Sequence, residues 1–442
     1  MLSVEERKLL MKEQSDRVPS IYGGITYDAM PYRWTEDPEV PSFIRPEMVD
    51  ERPRILQDKE WVSVIKDFTL IGDHICDAYA ALMPEHGFKT LVSMLADACD
   101  NGVENVENAP PELVALIEDM ERIPDWIDMD LVKKGIPLSL NTMVHAGPYA
   151  MRGGFIGTFL NKYAALPLAL TGSFSPESSG KRIRETADFF YWSAITGAIE
   201  RDGRAFKNAA MVRLMHSMVR FNVMRRGKWD TEIYGVPIPQ TDQMPAGVGG
   251  DIFLYAQRLV RAGKTEFSPD WRARVEFARY RAFLLGLPED LLPTTPAGIF
   301  SVVTTRHATL RAGWDDDTCG KLVTGTMDAE FEPVSWRTPI RTPLERSFSK
   351  FFFTRVYTGG DEKIAASMGV TLTRGDKVRA VITGVYLAAR ILPYAVAERI
   401  PATRALAHRR LTKKLEGIIK RYGGAEYHSD ATNYKSHAGV HH

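Results

Sequence analysis

The chain has 442 residues, enough for one large domain or for two to three ordinary ones. Hydrophobic residues make up 44% and charged residues 25%, a composition typical of a globular protein with a sizeable core. The net charge is zero, so no overall field favours nucleic acid, and we expect no nucleic-acid partner.

The N-terminal region carries no recognisable targeting segment. It has neither an apolar core of a signal peptide nor a twin arginine, so we expect no cleaved signal and a cytoplasmic protein. The three cysteines, Cys76, Cys99 and Cys319, are too widely spaced for a disulfide scaffold or a cysteine zinc site. Residues 1–57 are rich in proline, charge and aromatics, which predicts an irregular arm packed on a body.

Helical periodicity begins near Asp58 and predicts one helix running to Pro84. Further helices are predicted over Gly87–Asn101 and over Pro111–Glu121, the latter with prolines at its start. The histidines of this region do not form a ligand spacing, and we interpret them as structural. These are His74, His86 and His145.

Residues 148–170 form an apolar run with many small residues, too often interrupted by polar residues to predict a membrane span. The run is typical of a buried, tightly packed helix. Its glycines, Gly153, Gly154 and Gly157, would allow the close approach of a neighbouring helix or of a flat ligand.

The next helix contains a small polar cluster. Arg182 and Thr186 are four residues apart and share one face, with Glu185 beside them. The residues alone leave two interpretations open: the solvated start of a helix, or a polar group at a functional site.

Residues Val212–Arg225 form a helix with an unusual face. Four residues at helical spacing make one stripe: Val212, His216, Val219 and Val223. Arg213 and Arg220 lie at its border, three residues before and four after the histidine. A hydrogen-bonded core histidine with arginines that reach solvent is one interpretation. The other is iron ligation by His216, with the two arginines pairing with the acidic edge of a porphyrin.

Helices dominate the C-terminal half as well. The segment 376–398 is strongly apolar but contains Arg390 and Pro393, so we predict a buried or interfacial helix, with contact to membrane left open. A basic stretch follows, which is either a solvated terminal helix or a peripheral contact with anionic lipid. Residues 422–442 are predicted to be a flexible tail.

The chain has almost no alternating apolar and polar runs of strand length, and no low-complexity linker divides it. We therefore predict an all-α protein with a single large helical domain over residues 58–421.

The middle of the chain, roughly residues 145–310, resembles the MpaB/rubber-oxygenase (DUF2236) family, which includes the latex clearing proteins. The first block is R-x-x-H-x-x-x-R at Arg213, His216 and Arg220, and the second is R-x-x-x-T at Arg182 and Thr186. The third is the loop GVPIPQTD, followed by a helix that opens at Trp271 and closes with FLLGLP.

This resemblance implies a globin-like helical core that binds haem b without a covalent link. His216 takes the position of the iron ligand, and Arg213 and Arg220 match positions close to the haem. On the oxygen side, Arg182 and Thr186 match the family pattern R-x-x-K-T. Glu185 stands where that pattern has lysine, which implies a different polar environment for the reaction.

The resemblance further implies a haem b-dependent oxygenase that acts with O2 on a hydrophobic, unsaturated substrate of the terpenoid class. Arg182 would stabilise charge on oxygen, and Glu185 would accept a proton from an allylic position. Rubber itself is not favoured, because the chain lacks the export signal that contact with an extracellular polymer requires.

Two other interpretations stay open at this point. The first is a non-catalytic haem-binding or oxygen-sensing protein. The second is a protein without haem, in which His216 belongs to the core and the basic C-terminal helix binds a membrane or a partner.

Overall fold

The computed structural model describes residues 1–172, 175–227, 229–331 and 338–423. Within these ranges the chain is helical, and β-structure is limited to two isolated antiparallel bridges, Trp34–Leu310 and Ser42–Arg311. The prediction of an all-α protein is confirmed. The predicted tail lies outside the described residues from residue 424 onward.

The α-helices of the first half are, in chain order, α1 (Val4–Arg17), α2 (Pro19–Tyr22), α3 (Arg52–Gln57), α4 (Lys59–Phe68), α5 (His74–Ala80), α6 (Met83–His86), α7 (Phe88–Asn101), α8 (Pro111–Glu121), α9 (Met129–His145), α10 (Gly147–Ile156), α11 (Lys162–Leu170) and α12 (Pro176–Ser193). Those of the second half are α13 (Arg204–Arg225), α14 (Thr231–Tyr234), α15 (Gln240–Gln243), α16 (Gly250–Arg261), α17 (Pro269–Leu284), α18 (Pro296–Thr309), α19 (Lys321–Asp328), α20 (Thr338–Tyr357), α21 (Glu362–Ser367), α22 (Arg374–Arg399) and α23 (Pro401–Tyr422).

The helical body is organised into two compact units, each discontinuous in sequence. Unit 1 contains Met1–Ile44, Met48–Gly135 and Gly197–Ala312. Unit 2 contains Arg45–Glu47, Ile136–Thr196 and the described residues from Gly313 onward. The domain boundaries expected at residues 57 and 421 stay a prediction.

Helix α13 runs through the packed interior of unit 1. It packs against α2, α5, α7 and α17, and most of its side chains are buried. An apolar cluster fixes one end of it: Phe221 packs with Tyr22, Ala78 and Val236. Burial of such side chains is the main stabilising term for a helix in a protein, so α13 is held by its neighbours rather than by its own helix propensity.

The single helix expected from Asp58 to Pro84 is wrong, because the chain breaks between Phe68 and His74. Asp73 caps the new helix α5, and its carboxylate accepts a hydrogen bond from the backbone N–H of Cys76. The intervening backbone bonds elsewhere: the Gly72 N–H donates to Gln14 Oε1, and the Ile71 carbonyl accepts from the Gln240 N–H. The break therefore places polar groups of three segments together.

The N-terminal segment is more regular than the expected irregular arm. Helix α1 opens with a capping box, in which the Ser3 and Glu6 side chains each accept a hydrogen bond from the other's backbone N–H. Its buried residues, Arg7, Met11 and Gln14, follow helical spacing but include two polar side chains. This polar inner face explains why hydrophobic periodicity does not reveal the helix.

In unit 2, α20 packs against α10 and α22. A Cβ atom at Gly153 or Gly157 would collide with the ring of Phe352 or Tyr357, while one at Gly154 would meet open space. Of the two explanations for these glycines, the structure therefore supports a neighbouring helix for Gly153 and Gly157.

Helix α12 supplies one wall of an apolar cluster in unit 2. Ile183, Ala187 and Tyr191 lie on its buried face, and Leu411 and Leu415 of α23 pack into the same cluster. Between Ile183 and Ala187 the chain is half-buried, and Glu185 and Thr186 of the predicted polar cluster lie there.

Candidate functional site

One face of α13 is half-buried, although the rest of the helix is largely enclosed within unit 1. The residues of this face are Val212, Met215, His216 and Val219. They recur at the i, i+3, i+4 and i+7 spacing of one helical face. Val223, the last residue of the predicted stripe, is fully buried, so the partly open face ends near Val219. His216 is thus the one polar group on a small apolar surface.

The ring of His216 is oriented by Gln243. Its Nδ1 lies 2.9 Å from Gln243 Oε1, so Nδ1 carries the proton and donates to the amide oxygen, which leaves the lone pair on Nε2. Burial lowers the pKa of His216 to about 4; the Gln243 hydrogen bond opposes the shift and the Arg220 charge adds to it. The imidazole is neutral at pH 7, and this tautomer is the one that binds a metal through Nε2.

Gln243 belongs to the segment that follows GVPIP and forms the short helix α15. The neighbouring Gln240 fixes this segment, since its Nε2 donates to the carbonyls of Gly72 and Gly286. Asp242 accepts from both Arg33 and Arg306, at 2.8 and 2.9 Å. These buried contacts hold the segment in place and so position the side-chain amide oxygen of Gln243 against the histidine ring.

Arg213 is buried and faces two carboxylates. Its Nε and Nη2 donate to Asp73 at 2.5 and 2.9 Å, and its Nη1 lies 2.8 Å from Asp119 Oδ2. Although burial by itself lowers the pKa of Arg213, the charges of Asp73 and Asp119 raise it well above its ordinary value. The guanidinium is therefore charged at any ordinary pH and forms ion pairs with Asp73, at the start of α5, and with Asp119 on α8.

Arg220 makes a second buried ion pair one turn beyond His216. Its Nε lies 2.8 and 3.0 Å from the two oxygens of Asp77, and its Nη1 donates to the Ile238 carbonyl. Tyr22 donates to the same Asp77 carboxylate through a short hydrogen bond. Burial lowers the pKa of Arg220, but the Asp77 charge outweighs it and the net shift is upward.

These pairs define what the two arginines do on α13. Arg213 anchors the helix to Asp73, which caps α5, and Arg220 anchors it to Asp77 within α5, on either side of His216 along the axis. Pairing with the acidic edge of a haem stays a prediction for Arg213 and Arg220, and it would require each guanidinium to share its present carboxylate partner.

Arg182, Glu185 and Thr186 lie on α12 in unit 2, and all three are half-buried. Burial lowers the pKa of Arg182 to about 10, and the nearby Glu185 carboxylate offsets only part of that shift. Glu185 Oε1 also lies 3.9 Å from the Lys181 ammonium, one turn earlier. A lysine thus lies within one helical turn of Glu185, the position where the family pattern itself has lysine.

Several residues of the arrangement around His216 were missed from the sequence: Asp73, Asp77, Asp119 and Gln243. Asp73 and Asp77 are four residues apart, and Arg213 and Arg220 are seven residues apart on α13. Neither spacing identifies a partner about 140 residues away, so the two ion pairs could not be predicted from the sequence. Gln243 lies just past the quoted loop, and its position in that block was the available clue.

Comparison with known proteins decides the family. The catalytic domain described as ER-bound oxygenase mpaB/B'/rubber oxygenase matches residues 142–392, more than half of the chain. The chain belongs to this family. The matched range includes α12 and α13 and hence every residue that the sequence predicts for the site.

The fold of this family member is similar to that of a solved structure, latex clearing protein LCP in the closed state. The two share 16% sequence identity with a TM-score of 0.52, and the match covers 80% of this chain and 91% of the other. At that identity the likeness shows the fold alone. No curated protein matches the chain. Family membership supports an oxygenase.

Proposed function

We propose that this protein is a haem b-dependent oxygenase that acts with O2 on a hydrophobic, unsaturated substrate of the terpenoid class. The observation that carries the haem assignment is the Gln243–His216 hydrogen bond, because it fixes the tautomer with Nε2 available to iron. Membership of an oxygenase family supports the reaction class.

The residues around His216 fit a haem in two respects. The imidazole is neutral at physiological pH, as an iron ligand must be, and Val212, Met215 and Val219 surround it with an apolar, partly open surface on which a flat ring can pack. Haem, when bound, supplies the redox chemistry with O2. Arg213 and Arg220 hold the helix in place through Asp73 and Asp77, and we assign them a positioning role.

The residues of α12 are assigned to the proton and charge steps. Glu185, half-buried beside Lys181, is a carboxylate that can accept a proton from an allylic carbon of the substrate. Arg182 remains a cation even with its lowered pKa, so it can stabilise negative charge as it develops. The Thr186 hydroxyl shares their face of the helix and can donate or accept a hydrogen bond.

An absorption spectrum tests the haem assignment. Protein produced with added haem precursor should show a Soret band, and His216→Ala should lose it because the iron loses its ligand. His216→Gly should recover the band when free imidazole is added, since imidazole fills the vacated position. His86→Ala, which removes a half-buried histidine far along the chain, is the matched control and should keep the band.

A Soret band unchanged in His216→Ala would contradict the ligand assignment. Colourless wild-type protein, produced with excess precursor, would favour the alternative in which His216 belongs to the core. If the wild type binds haem, Gln243→Leu separates orientation from ligation. It should keep the band but shift the reduction potential, because the imidazole loses the acceptor that increases its basicity.

The reaction is tested by O2 consumption with farnesol as an unsaturated terpenoid probe. Glu185→Gln should slow consumption at least tenfold while the haem content stays constant, because general-base contributions are typically about 100-fold or more. Glu177→Gln, which changes an exposed carboxylate on the same helix, should be neutral. Equal rates in both variants would remove the base role. A stable complex of reduced protein with O2, without any product, would favour oxygen binding without catalysis.

A further inference from the structure

Helix α22 exposes an apolar stripe to solvent. Six large side chains on it are 53–66% exposed. They are Val378, Val381, Ile382, Val385, Leu392 and Val396. At 100° per residue all six fall on one face of the helix. From Val378 to Val396 the stripe is about 27 Å long at 1.5 Å per residue. Contiguous apolar surface of this kind marks an interaction site.

The opposite face of α22 is packed within unit 2. Asp376, Ala380, Thr383 and Leu387 are buried there, and the Asp376 carboxylate accepts a hydrogen bond from Ser347 of α20 at 2.8 Å. Near the other end, Asn141 donates to the Ile391 carbonyl at 3.1 Å. The helix is thus fixed to the protein along one side and open along the other.

By length and composition alone, α22 is long and apolar enough to cross a membrane, with a mean hydropathy of 1.6 over its most apolar 18 residues. Its packing argues against that arrangement. Helix α23 lies beside it and exposes Arg409, Arg410 and Lys413, which would be placed in hydrocarbon if α22 spanned the bilayer.

Charge identifies the surface that fits the stripe. Residues 374–423 contain twelve Lys or Arg but only three Asp or Glu, in a chain whose total net charge is zero. Exposed Arg374 and Arg399 lie at the two ends of the stripe, and exposed Arg390 lies on the flank of the helix between the stripe and the buried face. A helix with an apolar face and cationic edges is the arrangement that lies in the plane of a membrane surface carrying negative lipids.

We propose that α22 docks flat on an anionic lipid bilayer, with the Val378–Val396 stripe entering the headgroup region and the cations of α22 and α23 contacting the lipid charges. The protein is then a peripheral membrane protein, held through unit 2. This inference does not depend on haem binding or on the oxygenase reaction.

Co-sedimentation of the full chain with vesicles tests the proposal. We expect binding to phosphatidylcholine vesicles that contain phosphatidylserine, weak binding to phosphatidylcholine alone, and loss of binding as salt is raised. Arg409→Ala with Arg410→Ala should lower the partition coefficient roughly 25-fold, at about fivefold per cation. Val385→Glu with Leu392→Glu should lower it about tenfold or more, because the apolar insertion is lost.

Leu9→Glu is the matched control, since Leu9 is a 65% exposed apolar residue on α1, outside the proposed surface. It should bind vesicles as the wild type does. As an independent readout, the fluorescence of Leu392→Trp should shift to the blue on addition of anionic vesicles, whereas that of Leu9→Trp should not.

Three results would overturn the proposal. The first is unchanged vesicle binding in the Val385/Leu392 double variant, with its folding verified by circular dichroism. The second is retention of the wild type on vesicles after alkaline carbonate extraction, which would indicate a spanning helix. The third is a dimer in solution that the same double variant converts to monomer while no vesicles are bound, which would identify the stripe as an interface between copies.

Discussion

Helices α13 and α12 both carry arginines that the protein buries at least in part, but the pKa of these arginines shifts in opposite directions on the two helices. On α13, Arg213 and Arg220 each face a buried carboxylate at under 3 Å, and the pKa of both arginines rises. On α12, burial lowers the pKa of Arg182 to about 10, because Glu185 offsets only part of the desolvation. On α13 the facing carboxylates outweigh the effect of burial on the arginine pKa, whereas on α12 the Glu185 carboxylate offsets only part of it.

This difference indicates two different roles for the arginines, one in positioning a helix and one in stabilising charge. Fully paired charges lose much of their stabilisation when one partner moves, so α13 keeps a fixed register for His216. An approaching anionic group stabilises a buried cation whose pKa burial has lowered. Under the proposed function, Arg182 would therefore stabilise negative charge that develops during the reaction. Under the proposed function, α13 is the scaffold of the cofactor and α12 contributes to the reaction.

The largest expected effect is on the α13 pairs. Arg220→Ala leaves Asp77 buried without its main cation and should destabilise the protein by about 3–5 kcal/mol. Urea unfolding at pH 7 measures the change. Arg225→Ala, at an exposed position on the same helix, should change stability by less than about 0.5 kcal/mol. Equal losses in the two variants would show that the pair does not anchor the helix.

A pH effect of intermediate size is expected at the end of α9. Burial, with Lys414 and Arg390 nearby, lowers the pKa of His145 to about 4, against an ordinary 6.5. Below pH 6.5 the unfolded chain binds the proton more readily than the folded one, so stability is complete above that pH and falls as pH drops toward 4. Between pH 7 and 5 this residue should remove at most about 2 kcal/mol.

His145→Gln should flatten that slope, as measured by the free energy of unfolding at a series of pH values. His86→Gln serves as the control and should leave the slope near that of the wild type. An unchanged slope in His145→Gln would mean that the folded protein accommodates a protonated imidazole beside Tyr394.

The smallest effect on stability is expected on α12. Arg182→Met removes a cation that burial already disfavours, and Glu185 keeps Lys181 as a neighbour. We expect a change of less than about 1 kcal/mol in the free energy of unfolding, together with slower O2 consumption. A loss comparable to that of Arg220→Ala would erase the distinction between the two helices.

Periodicity and motif spacing predicted the helical class, the limits of α8 and the helix that carries His216. The partners of that helix could not be predicted in the same way. Asp73 and Asp77 lie about 140 residues away, and the break that presents Asp73 depends on backbone contacts of Gly72 with Gln14, which no local pattern encodes. Ion pairs between residues so far apart in sequence depend on how the helices pack, which the local sequence does not specify.

Helix α1 is the opposite case, because the sequence contains a local signal for its start that hydrophobic periodicity does not detect. Ser3 and Glu6 have the spacing of a capping box, a recognised start of a helix. Its buried face includes Arg7 and Gln14, so an interpretation based on apolar residues alone missed it. For the candidate site, the motif identified His216, whose role as an iron ligand stays a prediction, and did not identify Gln243, the acceptor that orients its ring.

The Arg220–Asp77 ion pair also depends on residues near the start of the chain, because Tyr22 of the short helix α2 bonds the same carboxylate. The Tyr22 hydroxyl donates a hydrogen bond to the Asp77 carboxylate, and Gln14 of α1 donates to the Leu70 carbonyl at 2.7 Å. Deleting the first two dozen residues, a common step in preparing proteins for crystallisation, would therefore remove the Tyr22 hydroxyl from the buried Asp77 carboxylate and Gln14 from the Leu70 carbonyl. A truncated protein of that kind should unfold at a lower urea concentration than the full chain, although none of the deleted residues belongs to the matched catalytic domain.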